Sequence, residues 1–275
     1  MSLPSFPPGS DPGPSFSDLL RMLGGVGAGR ARTPTVGELA LRAGERPVIA
    51  QATTVLALRY AQGVVMAGDR RATAGHSIAH RALDKVHPAD RWSGVAIAGT
   101  AGMAMEMVRL FQTELEHYEK VEGLALSLEG KANKLSQMVR GNFAMALQGL
   151  AVVPLFAGWD TRRRIGRIFT YDVTGGPYEE ADHAATGSGG QDARTTVKLG
   201  WSEGMDRDDA IELAISGLYE AADEDAATGG PDVVRGIYPT VATIGAEGFV
   251  HVEPTEVARR FASLIDSKRA RGNTP

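Results

Sequence analysis

The sequence predicts an α+β four-layer sandwich, in which two packed antiparallel β-sheets are flanked by helix pairs on their outer faces. Three observations predict it. The elements run strands, two helices, strands, two helices, strands, helix, which is not the regular alternation that builds a parallel sheet. Gly63-Val64-Val65-Met66-Ala67-Gly68 is apolar at successive positions, so this strand is expected to be covered on both faces. A chain of 275 residues that is 43% hydrophobic can fill one large core.

Residues 1–14 (MSLPSFPPGSDPGP) are rich in Pro, Ser and Gly and read as a disordered tail. Short helices are expected at Ser15–Leu23, where capping residues precede an apolar cluster, and at Thr35–Ala43. From Thr53 the character changes. Thr53–Tyr60 and Gly63–Asp69 are strand-length and separated by Ala61-Gln62-Gly63, which predicts a hairpin. A polar linker, 70–81, leads to Leu83–His87, and Gly94–Gly99 forms a fourth, buried strand. Apolar spacing near 3.6 predicts helices over Ala101–Tyr118 and Ser127–Gln148. Strands follow at Leu150–Trp159 and Gly166–Val173, then helices to about Trp201 and over Arg207–Ala222. The chain closes with strands Tyr238–Ile244 and Phe249–Val252, a helix Thr255–Ser267 and a flexible tail from about residue 268.

Composition removes several function classes. The net charge is -4 with basic residues scattered, which gives no face for nucleic acid. There is no cysteine, which excludes disulfides, thiolate metal sites and cysteine nucleophiles. No stretch of 18 apolar residues and no secretory leader pattern is present, so a cytoplasmic location is expected. The sequence holds no Gly-x-Ser-x-Gly elbow, His-Glu-x-x-His, Walker loop or dinucleotide fingerprint. The histidines lack ligand spacing, so no metal and no cofactor is expected. Gly187-Ser188-Gly189 reads on its own as a helix start with serine as cap.

What remains is Thr53. A threonine hydroxyl is a poor nucleophile; without a Ser–His type partner, the remaining route to activation is a free terminal amine on the same residue acting as base. An α-amine titrates near 8, within reach of neutral pH. A threonine pair at a strand start also serves β-propensity alone.

Thr53–Leu58, Gly63–Arg71, Lys85-Val86, Gly94–Gly102 (GVAIAGTAG), Gly187-Ser188-Gly189 and Asp225–Gly230 together resemble the β subunit of the 20S proteasome, of the actinobacterial type. The resemblance covers about residues 53 to 265 in order. It implies the N-terminal nucleophile hydrolase fold and threonine endopeptidase activity, with 1–52 a propeptide removed by autocatalytic cleavage between Ala52 and Thr53, and 53–275 the catalytic domain. Thr53 would be the nucleophile, Asp69 and Lys85 its acidic and basic partners, and Gly99 the amide that stabilises the oxyanion. Ser188 and Asp225 would hydrogen-bond around the threonine amine, supported by Thr228, which stands where many relatives have serine. Ala72, Leu83, Ile97, Ala101 and Met105 match the pocket for the residue before the cut; all are apolar, which implies a preference for apolar residues there.

One residue departs from the family pattern. Relatives generally have glycine before the nucleophile, and here that position is Ala52. A Cβ in the crowded turn that self-cleavage requires costs about 1 to 2 kcal/mol, slowing processing about 5- to 30-fold. The alternative is therefore a propeptide-blocked structural ring subunit or a precursor trapped by Ala52; a small-molecule amidase of the same superfamily is a third reading. The partners implied are other β subunits in sevenfold rings, α-subunit rings and unfolded proteins delivered by an ATPase ring.

Overall fold

The computed structural model describes residues 53–74 and 77–272. The helices expected at Ser15–Leu23 and Thr35–Ala43, and Ala52 itself, lie outside the described residues.

Strands β1 (Thr54–Tyr60) and β2 (Gly63–Gly68) form the expected hairpin, with Tyr60 opposite Gly63 and Val55 opposite Gly68. The segment read as a polar linker contains two further strands, β3 (Ala72–Ala74) and β4 (Ser77–His80), which pair only with each other. β5 (Val86–Asp90) and β6 (Ser93–Gly99) follow, so the buried strand ending at Gly99 is the sixth rather than the fourth. Helix α1 (Ala101–Glu122) runs past its expected end at Tyr118. α2 (Leu128–Gly141) starts where the Ser127 hydroxyl accepts the Gly130 amide at 3.1 Å. The single long helix expected to Gln148 is broken at Asn142, whose side chain bonds back to the Met138 carbonyl at 3.1 Å, leaving one short turn, α3 (Phe143–Ala146). Gly and Asn are both poor in helix interiors, and Gly141-Asn142 is where the break falls.

β7 (Val152–Asp160) and β8 (Ile165–Tyr171) are followed by two strands the pattern did not reveal, β9 (Pro177–Glu180) and β10 (His183–Gly187). Each is recruited by backbone pairing at a sheet edge, β9 to β8 and β10 to β1. Helices α4 (Gly190–Gly200) and α5 (Arg207–Glu224) come next, the latter capped by Asp206, whose carboxylate accepts the amides of Asp208 and Asp209. β11 (Thr240–Gly245) and β12 (Gly248–His251) complete the strands. The final helix α6 (Pro254–Gly272) continues beyond Ser267, so residues expected in a flexible tail are helical; the Lys268 ammonium there pairs with Glu220 on α5.

The strands form two five-stranded antiparallel sheets, β10-β1-β2-β11-β12 and β5-β6-β7-β8-β9. Period-two alternation divides the apolar residues among three cores. Val55 and Ala57 of β1, with Val64 and Met66 of β2, face the second sheet and meet Ala96, Leu155 and Ile168. Their neighbours Leu56, Leu58, Val65 and Ala67 face outward and are covered by Val197 of α4, Ile211 and Leu218 of α5, and Phe261 of α6. On the far side Val95, Ile97 and Phe156 are covered by Phe111 of α1 and Leu135 of α2. Phe156 stacks edge-on against Phe111, centroids 5.8 Å apart. Four layers with three cores between them explain why β1 and β2 are apolar on both faces.

Candidate active site

The start of β1, the end of β2, the entry to β5 and the end of β6 converge at one end of the sandwich. Asp69 follows β2 and is tied to β1 by its amide, which donates to the Thr54 carbonyl at 3.1 Å. Lys85 precedes β5 and belongs to the other sheet, where its carbonyl accepts the Ile97 amide at 3.2 Å. Asp69 and Lys85 are 0% and 3% exposed, and Lys85 Nζ donates to Asp69 Oδ1 at 2.6 Å. The ion pair therefore joins the two sheets across the site. The Lys85 ammonium also donates to the Arg71 carbonyl at 2.5 Å. Asp69 is saturated with donors: Oδ1 takes the Thr54 amide at 2.8 Å, and Oδ2 takes the amides of Arg71 at 2.9 Å and Gly229 at 2.8 Å. Burial is the largest influence on Lys85 and pulls its pKa below the ordinary lysine value, against the charge and hydrogen bond of Asp69.

Thr53 is buried, and its carbonyl accepts the Ser188 amide at 2.9 Å. Gly187 makes that approach possible: its φ is +106°, and a Cβ there would stand 1.7 Å from the Thr53 carbonyl oxygen. Thr53 lines a cavity of about 20 Å³ with Lys85, Gly99, Leu83, Ile97 and Met105. Gly99, at φ +124°, ends β6; a Cβ would lie 2.2 Å from the Ala151 carbonyl oxygen. On the other side of β1, Asp225 receives the Thr228 hydroxyl at 2.6 Å and the Ala227 amide at 3.1 Å. Burial favours the neutral acid at Asp225, but hydrogen bonds from the Ser188 and Thr228 hydroxyls outweigh it, and the pKa falls below the ordinary carboxylate value.

The structure thus brings Thr53, Asp69, Lys85 and Gly99 together, and gathers Ser188, Asp225 and Thr228 into a second cluster on the turn against Thr53. Of the expected pocket residues, Leu83, Ile97, Ala101 and Met105 line the cavity with Thr53, and Ala72 does not; it is buried in β3. Asp84 and His87 also line this cavity and were missed, because a sequence search for apolar pocket residues passes over polar ones. Apolar Ala104 and Val108 line it as well, and the exposed wall remains predominantly apolar. Thr54, 0% exposed, was read only as a strand residue. Among the described residues no group of acidic and histidine side chains could hold a metal ion.

Residues 49–235 match the proteasome subunit family. A protein named proteasome subunit beta from Acidimicrobium ferrooxidans is 56% identical over 273 residues, covering 99% of this chain and 96% of that protein. One of the same name from Streptomyces griseus is 59% identical over 223 residues, covering 81% of this chain and 79% of that protein. With a family match spanning most of the sandwich and relatives aligned over most of their length, the chain belongs to the proteasome subunit family.

Proposed function

We propose that this chain is a threonine-type endopeptidase subunit of the 20S proteasome core, with Thr53 as its nucleophile once residues 1–52 have been removed as a propeptide. The observation that carries the reading is the cavity in which Thr53 lies beside Lys85 and Gly99, with Lys85 held by a water-excluded Asp69. In the mature chain, Thr53 Oγ attacks the peptide carbonyl carbon and its proton passes to the residue's own amine and the Lys85 system. The C–N bond then breaks with a proton delivered to the leaving amine, and water hydrolyses the resulting ester. In the uncut chain the Thr53 nitrogen is an amide and cannot serve as base. The buried Lys85, easier to deprotonate than an ordinary lysine, is then the group suited to take the Oγ proton during self-cleavage. Gly99 supplies the amide that stabilises the oxyanion. Ser188, Asp225 and Thr228 orient the freed amine.

Cleavage prefers apolar residues before the scissile bond. As it stands, the cavity holds about one water, so a leucine or tyrosine side chain enters only when half-buried Leu83 and Met105 swing aside. The chain assembles with other proteasome subunits: sevenfold β rings stacked back to back, α rings outside them, and an ATPase ring that delivers unfolded proteins. No described helix is long and apolar enough to cross a membrane, in keeping with a cytoplasmic particle. Ala52 favours a slow first cut, not a permanently blocked subunit. The test is Thr53→Ala in the assembled particle: peptide hydrolysis disappears and intact mass shows residues 1–52 retained. Undiminished hydrolysis by this variant overturns the reading.

A further inference from the structure

Thr54 is the neighbour of the nucleophile, and β1 alternation turns its side chain away from the cavity, toward α4 and the end of α5. Its hydrogen bonds have only one consistent direction. The Gly189 amide donates to Thr54 Oγ1 at 3.0 Å. The Thr228 hydroxyl donates to Asp225 Oδ2 at 2.6 Å, which commits its only proton. The contact of 2.6 Å between Thr54 Oγ1 and Thr228 Oγ1 must then be donated by Thr54. The chain therefore runs from the Gly189 amide through the Thr54 and Thr228 hydroxyls to Asp225. Glycine at 189 leaves the room it needs, since a Cβ there would lie 2.8 Å and 2.9 Å from the two hydroxyl oxygens. The Thr54 main chain is tied equally firmly to the other cluster, donating to Asp69 at 2.8 Å and accepting from the Asp69 amide at 3.1 Å.

Resting on the reading of Thr53 as nucleophile, we propose that Thr54 is a positioning residue of the same site: its hydroxyl holds the Ser188 turn and the Asp225–Thr228 loop in register with the Asp69–Lys85 pair around Thr53. A valine there keeps the shape and the β1 ladder but removes the donor to Thr228 and the acceptor for Gly189. Displacing the orienting groups slows the chemical step without touching the substrate cavity, which lies on the other side of the strand.

The experiment compares wild type, Thr54→Val, Thr54→Ser and Thr53→Ala in the assembled particle, with kcat counted per mature N-terminus by intact mass. Thr54→Val is expected to lower kcat about 10- to 100-fold with KM unchanged, and Thr54→Ser to restore it. Wild-type kcat in Thr54→Val, or no recovery in Thr54→Ser, overturns the proposal. If Thr54→Val does not assemble, Thr54→Ala carries the same comparison. Failure of both to assemble while Thr54→Ser does assigns the hydroxyl to folding and likewise overturns it. Thr53→Ala separates the two readings: if it is inactive while Thr54→Val is unchanged, only the role of Thr54 falls.

Discussion

Lys85 and Asp69 meet at 2.6 Å between the two sheets, one residue contributed by each. The pair joins the two sheets, and its two partners are not equivalent. Asp69 keeps amide donors from Thr54, Arg71 and Gly229 if the lysine is removed. Lys85 would keep only the Arg71 carbonyl if the carboxylate were removed. Asp69→Ala, which takes the carboxylate from buried Lys85 and the acceptor from the amides of Thr54, Arg71 and Gly229, is expected to cost about 3–5 kcal/mol, and Lys85→Met distinctly less. Urea unfolding of the two variants measures the difference; equal losses would contradict the asymmetry. Both should be inactive.

The depressed pKa of Lys85 sets a direction for pH dependence. Activity that needs its unprotonated amine rises as pH climbs through a value below 10.5. Asp69 is the main group raising that value, so in Asp69→Asn the residual rate of self-cleavage should show its acid limb at lower pH than wild type. The same shift bears on stability. Between the folded pKa and 10.5 the folded chain binds fewer protons at Lys85 than the unfolded chain, so stability rises with pH across that window. Below the folded pKa the full penalty applies. A pH–rate profile and unfolding at several pH values check both signs.

Gly187→Ala places a Cβ 1.7 Å from the Thr53 carbonyl oxygen at a φ of +106°. The turn cannot accept it without moving Thr53. Processing and peptide hydrolysis are expected to fall at least about 100-fold, the scale of a misplacement near 1 Å. Hydrolysis within a few-fold of wild type would mean that the turn does not hold Thr53 in place.

Ala52→Gly should speed removal of residues 1–52 about 5- to 30-fold by relieving about 1–2 kcal/mol of turn strain. An intact-mass time course after assembly gives the rate. No acceleration would show that Ala52 does not limit the cut.

Fluorogenic peptides ending in Tyr or Leu should be turned over faster than those ending in Arg or Glu, since Leu83, Ile97, Ala101, Ala104, Met105 and Val108 line the cavity with Thr53. Asp84 is already engaged by Arg70 at 3.2 Å and by the Thr240 hydroxyl at 2.9 Å, which leaves it a weak attractor for an incoming cation. Comparable turnover of the Arg peptide would overturn this preference.

Much of the molecule was legible without coordinates wherever the signal was local. The β1–β2 hairpin, the doubly covered β2 and the helices over Ala101, Leu128, Arg207 and Pro254 follow from periodicities and turn residues within a few positions. Thr53, Asp69, Lys85 and Gly99 were named through the family resemblance that their short segments carry, and the structure brings the ends of those segments to one place. What the sequence by itself determined was therefore the layered fold and the candidate residues that the fold gathers at one end.

Tertiary structure decided what depends on partners far along the chain. β9 and β10 exist because β8 and β1 offer unpaired edges, and Pro177–Glu180 and His183–Gly187 carry little strand character of their own. Ala72 of β3 does not line the cavity beside Thr53, whereas Asp84 and His87 do, a placement that no spacing rule in the sequence tracks. The hydroxyl chain through Thr54 joins positions 54, 189, 225 and 228. A hydrogen bond between such distant positions leaves no periodic trace in a sequence, and only the packing of β1 against the ends of α4 and α5 makes it.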